Sequence, residues 1–175
     1  MTLAQPYFQF DRLTPHDRAL AENILDGLRA PNLLIAPNDK PYLYRWHIVR
    51  NTECSVYFHI QVASDGGRDL HDHPWDNTSV ILAGGYDETL SLIEGKPDEK
   101  TTAVFPRKPG DVIHRLARQA HRLDLPRMTP YTMTLFSTGP RINHWGFWAP
   151  DGFVPYEQIT EIVNGVSRHV DKSTP

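Results

Sequence analysis

The stretch LHDHPWDN, residues 70–77, decides how this sequence is interpreted. It contains two histidines separated by one residue, and in an extended strand residues i and i+2 point to the same side of the backbone. His71 and His73 can therefore direct both imidazoles toward one metal ion, since imidazole nitrogen is a common ligand of divalent transition metals. The same two histidines could also lie in a polar surface turn, so the interpretation depends on the rest of the chain.

Short segments rich in aromatic and β-branched residues surround this stretch, and turn-forming residues separate them. The segments are residues 42–49, 55–62, 70–74, 79–83, 86–93, 101–105, 111–116, 121–125 and 131–137. Short strands at hairpin spacing predict an all-β jelly-roll barrel, which hides most of its strand edges by closing. The length of 175 residues is that of one domain, so we expect a single domain over 1–175 with a barrel core at about 42–140.

Helical patterns occur only near the two ends of the chain. Thr14 followed by Pro15 is typical of an N-cap and a first helical turn, and the apolar residues that follow predict a helix over 14–29. The segment VPYEQITEIVNGV predicts a second, short helix over 154–166.

The composition argues against several classes of protein. No apolar run approaches the roughly 20 residues that cross a bilayer, and the net charge of -3 with scattered basic residues is unlike that of a nucleic-acid-binding protein. The first residues lack a signal-peptide pattern, and the single cysteine, Cys54, cannot form an internal disulfide. We therefore expect a cytoplasmic protein with a small-molecule ligand, no membrane contact and no nucleic-acid partner.

A third histidine with meaningful spacing follows the Gly110-Asp111 turn. His121 stands where the pattern G-D-x(9)-H places its histidine, and His114, in the middle of the predicted strand, is the competing candidate. Together with H-x-H-x(3)-E-x(6)-G, this pattern resembles the two motifs of the cupin superfamily. His71, His73 and Gly84 match the first motif, and Asn77 stands in place of its glutamate.

The resemblance implies a jelly-roll cupin that binds one divalent metal through His71, His73 and His121. Nitrogen ligands without a cysteine cluster favour Fe(II), with Mn, Ni, Cu or Zn as alternatives. Asn77 brings no negative charge to the fourth position of the motif. Asp76 carries a charge but has the wrong parity for the same face, unless a β-bulge shifts the register.

A three-histidine centre is similar to that of the thiol dioxygenases, which oxidise cysteine, cysteamine or mercaptopropionate to sulfinates with O2. In cysteine dioxygenases an arginine 26 residues before the first metal histidine holds the substrate carboxylate, and Arg45 precedes His71 by 26 residues. The resemblance implies that Arg45 clamps a small anionic substrate; the alternative is a structural ion pair. Thr78 replaces the cysteine that forms a cross-link in the animal enzymes, so we expect no cross-link here.

The chain resembles a group of uncharacterised bacterial and phage cupins over most of its length. The shared segments read YRW, GRDLHDHPW, GGYDE, TLFSTGP and HWGFW. This resemblance implies the fold and leaves the reaction open. Cupins often dimerise, and a homodimer is expected here by that analogy alone.

Two further residues are candidates for the catalytic site. Tyr86 and Glu88 share one face of a predicted strand and could act as hydrogen-bond donor and acid/base, or they could form a structural cross-strand pair. The expected function is an Fe(II) dioxygenase that uses O2 on a small thiol or another small anionic metabolite. The alternatives are a metal-independent sugar isomerase or epimerase and a non-catalytic ligand-binding cupin.

Overall fold

Strands are the main secondary structure of the protein in its computed structural model, which describes residues 7–65 and 69–169. The strands are β1 Leu33–Ile35, β2 Leu43–Arg50, β3 Ser55–Gln61, β4 Leu70–His71, β5 Asn77–Ala83, β6 Tyr86–Ser91, β7 Thr102–Arg107, β8 Val112–Arg115, β9 His121–Asp124, β10 Thr132–Thr138, β11 Gly146–Ala149, β12 Gly152–Pro155, β13 Thr160–Val163 and β14 Val166–His169. The helices are α1 Pro15–Leu25 and α2 Tyr156–Ile159, with short 3₁₀ turns at Phe10–Arg12 and Pro37–Asp39.

The strands form two sheets. The larger sheet has the order β13-β14-β1-β2-β3-β10-β5-β8, and the smaller has the order β12-β11-β4-β9-β6-β7. The pairs are antiparallel except for β1 with β14, which run parallel. The predicted all-β jelly-roll class is therefore confirmed, and each of the nine predicted strands is present.

The main apolar core lies on the outer face of the larger sheet, beneath α1. Thr14 caps this helix through its hydroxyl, which accepts a hydrogen bond from the Asp17 amide, and Asp26 ends it in the left-handed conformation. Ala21 and Leu25 of the helix pack with buried aromatic residues that include Trp46. No helix in the described part of the chain has both the length and the apolar character needed to cross a membrane.

The two helix predictions need correction at their boundaries. The N-terminal helix ends at Leu25 rather than at residue 29, because Asp26 and Gly27 both have positive φ and redirect the chain. The C-terminal helix is present but spans only Tyr156–Ile159. Residues 160–169 instead form the hairpin β13–β14, in which Asn164 and Gly165 take the positive φ angles that a tight type I′ turn requires.

Strand β3 separates this core from the interior of the barrel. Phe58 and Ile60 face the apolar core, whereas Tyr57, His59 and Gln61 line an internal cavity. This alternation follows the two-residue period of a strand. The barrel interior is consequently polar and aromatic, and it is available for a ligand.

Candidate metal centre and its cavity

Three histidines converge on the inner face of the smaller sheet. His71 ends β4 and is the cross-strand partner of His121, which begins β9. His73 lies two residues beyond His71 on the same side, while the intervening Asp72 points away and accepts a hydrogen bond from the Gly146 amide. One ring nitrogen of each of these histidines lies within 4.8 Å of the others, so the structure brings together the three residues predicted as metal ligands.

A carboxylate behind the His121 ring determines which nitrogen of that ring faces the cluster. The Nδ1 atom of His121 lies 2.9 Å from Glu88 Oε1, and the Nδ1 atom of His71 lies 3.8 Å from Asp65 Oδ2. A metal-binding histidine commonly gives its second ring N–H to such a carboxylate, which fixes the tautomer and the ring orientation. The Nε2 atom of His121 is thereby left free to bind a metal.

The environment keeps His73 and His121 in the form that binds metals. Burial lowers the pKa of His121 to about 4, with the nearby Arg115 charge adding to the effect, and burial also holds the pKa of His73 well below its ordinary value. Both rings are therefore neutral at neutral pH. A neutral imidazole has a lone pair to give, as metal coordination requires.

The donor set fits a single divalent metal ion. His73 Nε2 and His121 Nε2 lie 2.8 Å apart. Two nitrogens bound to one metal at about 2.1 Å and at a right angle are separated by about 3 Å, close to this distance. Among residues 7–65 and 69–169, no carboxylate belongs to the cluster. A divalent metal bound there would therefore have neutral nitrogen ligands.

Glu88 lies directly behind the cluster in a buried network of charges. Its carboxylate accepts hydrogen bonds from the Nε atoms of Arg115 and Arg107 and contacts His121. Burial raises the pKa of Glu88, but the hydrogen bond from His121 and the charge of Arg115 outweigh burial and leave the pKa well below its ordinary value. Glu88 is therefore ionised and positions His121. The sequence had indicated two possible roles for Glu88, as an acid/base or as a member of a structural cross-strand pair.

Arg115 is the residue that the sequence analysis did not select. It is almost completely buried, and it donates to Glu88, to the Ser79 hydroxyl at 3.0 Å and to the Tyr86 hydroxyl at 3.4 Å. Its position follows from the parity of β8, since Ile113 and Arg115 face inward and His114 faces out. Tyr86 lines the cavity and is the acceptor for Arg115.

The remaining ligand candidates have other partners. Asp76 Oδ1 accepts a hydrogen bond from the Ala117 amide at 2.8 Å, and Asp76 is not part of the histidine cluster. Asn77 Oδ1 accepts from Arg115 at 3.4 Å. His114 is exposed on the outer side of β8, 3.2 Å from the Thr78 hydroxyl, so it cannot join the cluster.

A cavity of about 930 Å³ opens above the histidines. This volume lies within the range of about 300–1,000 Å³ that small-molecule sites occupy. Aromatic side chains form much of its wall: Tyr57, Trp75, Phe136, Trp145, Phe147 and Tyr156. His73 stacks on Trp75 and Trp145 at ring-centroid distances of 5.6 and 6.3 Å, so the histidine cluster is continuous with this aromatic wall.

Arg45 lines the same cavity from β2. Its Nε donates to His59 Nε2 at 2.9 Å, and its guanidinium carbon lies 4.9 Å from the centre of the Tyr57 ring. Within the described ranges, no carboxylate lies within 4 Å of this guanidinium, so the predicted alternative of a structural ion pair is not what the structure shows. Burial is the main cause that lowers the pKa of His73, and the positive charge of Arg45 adds to this effect.

Several solved structures are similar to this chain. FeII HppE matches with a TM-score of 0.51 at 10% sequence identity, covering 74% of this chain and 78% of that chain. An RmlC-like cupin family protein from Methanocaldococcus jannaschii matches at a TM-score of 0.41 and 10% identity, covering 57% and 81%. A cupin-2 domain protein from Rhodospirillum rubrum matches at 0.44 and 13%, covering 58% and 62%. The protein therefore shares its fold with FeII HppE.

The sequence of the protein matches no family model and no curated protein. Among the described residues, the carboxylate nearest the histidines is Glu88, which stands behind His121 rather than inside the cluster.

Proposed function

We propose that this protein is a metal-dependent oxygenase, with Fe(II) as its metal, that uses O2 to oxidise a small anionic metabolite such as a carboxylate-bearing thiol. The observation that carries the proposal is the combination of a carboxylate-free histidine cluster with an arginine that has no acidic partner in the described part of the chain. Both face one cavity. FeII HppE, which has a similar fold, is an iron protein by its own description.

The metal would be held by His71, His73 and His121. Fe(II) in such a site would supply binding positions for O2 and for a thiolate, and electrons to O2. Three neutral ligands leave the positive charge of the ion uncompensated, so the site favours an anionic ligand. We expect the thiol to be converted to a sulfinate, with both oxygen atoms taken from O2.

Arg45 would orient the substrate by its carboxylate. A guanidinium offers paired N–H donors that match the two oxygens of a carboxylate. The aromatic wall, with Phe136 and Trp75 near His73, would exclude water from the reacting end. The small-molecule substrate and O2 are the only partners this proposal needs.

Replacement of one histidine tests the metal site. His73→Ala should reduce the bound metal from about one ion per chain to less than about 0.1, because a two-nitrogen site holds a divalent ion weakly. His114→Ala is the matched control, since His114 is exposed and outside the cluster. Elemental analysis after reconstitution with Fe(II) under anaerobic conditions gives the metal content. Equal metal content in the two variants would contradict the site.

Oxygen uptake with a panel of thiols tests the reaction. We expect 3-mercaptopropionate or cysteine to stimulate O2 consumption by the Fe(II) protein, and cysteamine, which lacks a carboxylate, to do so less. Arg45→Gln should raise the KM for the carboxylate thiols by about 10- to 100-fold, the cost of losing a charged hydrogen-bonded pair. Arg18→Gln, on the exposed face of α1, is the control. An iron-loaded protein that consumes no O2 with any thiol would refute the thiol reaction, and turnover of a sugar by metal-free protein would favour the isomerase alternative.

A further inference from the structure

His59 is a buried histidine of the cavity wall that lies outside the metal cluster. It is 6% exposed, and it is the cross-strand partner of Arg45. Its ring stacks between Tyr57 and Phe136, at centroid distances of 5.9 and 5.3 Å. These contacts fix the plane of the imidazole against the wall.

The contact with Arg45 decides which nitrogen of His59 carries the proton. Arg45 Nε always bears hydrogen and can only donate, so His59 Nε2, at 2.9 Å, must be the acceptor. A neutral imidazole carries one N–H, which then has to be on Nδ1. Burial, together with the Arg45 charge, holds the pKa of His59 well below its ordinary value, so the ring is neutral at neutral pH.

The Nδ1–H group is left without a protein partner. His59 makes no side-chain hydrogen bond other than the one from Arg45 within residues 7–65 and 69–169. An unpaired polar atom is either fully enclosed by protein or accessible from open space, and the Nδ1 atom of His59 is not among the fully enclosed ones. It therefore reaches open space. The open space that His59 lines is the cavity above the metal cluster.

Contacts with His59 and Tyr57 hold Arg45 against the cavity wall. Its Nε is engaged by His59, and its guanidinium plane lies over Tyr57. The two terminal amino groups of Arg45 make no hydrogen bond to any described residue and remain free for a ligand. His59 therefore restricts the rotation of the guanidinium and leaves its two strongest donors available.

We propose that His59 is the positioning residue for Arg45 and the second hydrogen-bond donor of a carboxylate-binding subsite in this cavity. The ligand group is a planar anion that bridges the two residues: one carboxylate oxygen accepts from a terminal amino group of Arg45, and the other oxygen accepts from His59 Nδ1–H. The inference rests on the proposed function in one respect only, which is that the cavity takes an anion. It requires neither iron nor O2.

The tautomer of His59 provides the first test. The ring nitrogens are observed by ¹⁵N NMR in the full-length protein with Zn(II) added, since Zn(II) is diamagnetic and does not react with O2. The His59 signals are assigned by their loss in His59→Gln. We expect the Nδ1–H form, whereas free neutral imidazole side chains favour Nε2–H. The Nε2–H form, or a protonated ring at pH 7.5, would overturn the proposal.

Binding of propionate to the same sample provides the second test, with the uncharged propionamide as control. We expect the Arg45 Nε–H and His59 Nδ1–H signals to shift in a saturable manner with propionate and to remain unchanged with propionamide. If neither signal moves with propionate, the subsite does not exist. This outcome is independent of the oxygenase proposal, which fails instead if the iron protein consumes no O2.

Three substitutions of His59 separate its two roles. His59→Gln keeps an acceptor within reach of Arg45 Nε but lacks the Nδ1–H, so propionate binding should weaken only roughly threefold. His59→Asn keeps a donor near Nδ1 but cannot reach Arg45, so binding should weaken about tenfold. His59→Leu loses both contacts and should bind most weakly. Wild-type binding by His59→Leu, or an equal loss in all three variants, would leave His59 with a packing role only and overturn the proposal.

Discussion

Glu88→Gln is the substitution whose consequences the structure predicts most directly. Glu88 accepts hydrogen bonds from Arg115 and Arg107 and contacts His121. The substitution removes one negative charge but preserves the shape of the side chain and one carbonyl oxygen. It therefore changes the charge balance behind the metal cluster without opening a cavity.

The magnitude follows from burial. The side chains of Glu88 and Arg115 are both 0% exposed, so water screens their interaction very little. Removing one partner of a buried ion pair costs about 3–5 kcal/mol, because the other charge stays buried and uncompensated. Since Gln keeps an acceptor and Arg107 is partly exposed, we expect the free energy of unfolding to fall by about 3 kcal/mol. Loss of the partner that orients His121 should also weaken metal affinity about tenfold.

Urea unfolding of the metal-free protein, followed by tryptophan fluorescence, measures the first effect. Asp124→Asn is the matched control, because its pair with Arg122 has side chains that are 25% and 43% exposed and should lose less than about 1 kcal/mol. Adding Arg115→Met to Glu88→Gln should restore part of the stability, since the unpaired charge is removed. A Glu88→Gln protein as stable as the Asp124→Asn control would refute this account of the network.

Three other predictions concern the pH dependence of stability, the backbone conformation at Gly84 and the role of Asn77 at the metal site. The pKa of His121 is lowered from 6.5 to about 4 in the folded protein. The unfolding free energy of the metal-free protein should therefore be fully maintained above pH 6.5 and decline from there toward pH 4. Denaturation at a series of pH values measures the decline. Gly84→Ala should lower the unfolding free energy by at least about 2 kcal/mol, because φ is +74° and the new Cβ would lie 2.2 Å from a carbonyl oxygen. Gly27→Ala is the control: its φ is +98° but the surrounding space is free, so it should cost about 1 kcal/mol in the same urea experiment. Asn77→Ala should retain about one metal per chain by elemental analysis while losing about 1 kcal/mol of stability, and loss of the metal would show that Asn77 is a ligand.

The barrel strands could be predicted because their pattern is local. Short runs rich in aromatic and β-branched residues, separated by turn formers, are visible in segments such as β3 without knowledge of their partners. The C-terminal hairpin was harder, because its apolar residues also fit a helical spacing. The dipeptide Asn164-Gly165 was the contrary signal, since it favours a tight hairpin turn over a helix.

The histidine cluster could be predicted because the three side chains follow known motifs on neighbouring strands. The residue type alone could not identify Arg115 as part of the buried network, because most arginines are exposed. Its burial depends on a partner 27 residues away, Glu88, and the pairing of these two residues becomes visible only when β6 and β8 enclose the same interior. The lack of an acidic partner for Arg45 among the described residues likewise depends on the whole barrel and not on its neighbours in sequence.

Strand β3 carries two independent sets of side chains. Phe58 and Ile60 belong to the core beneath α1, and Tyr57, His59 and Gln61 face the cavity. Because the main core lies outside the barrel, the cavity side of this strand can change in evolution or in the laboratory without removing the packing that holds the protein together. Ligand preference could therefore be diversified by varying alternate positions of a single strand.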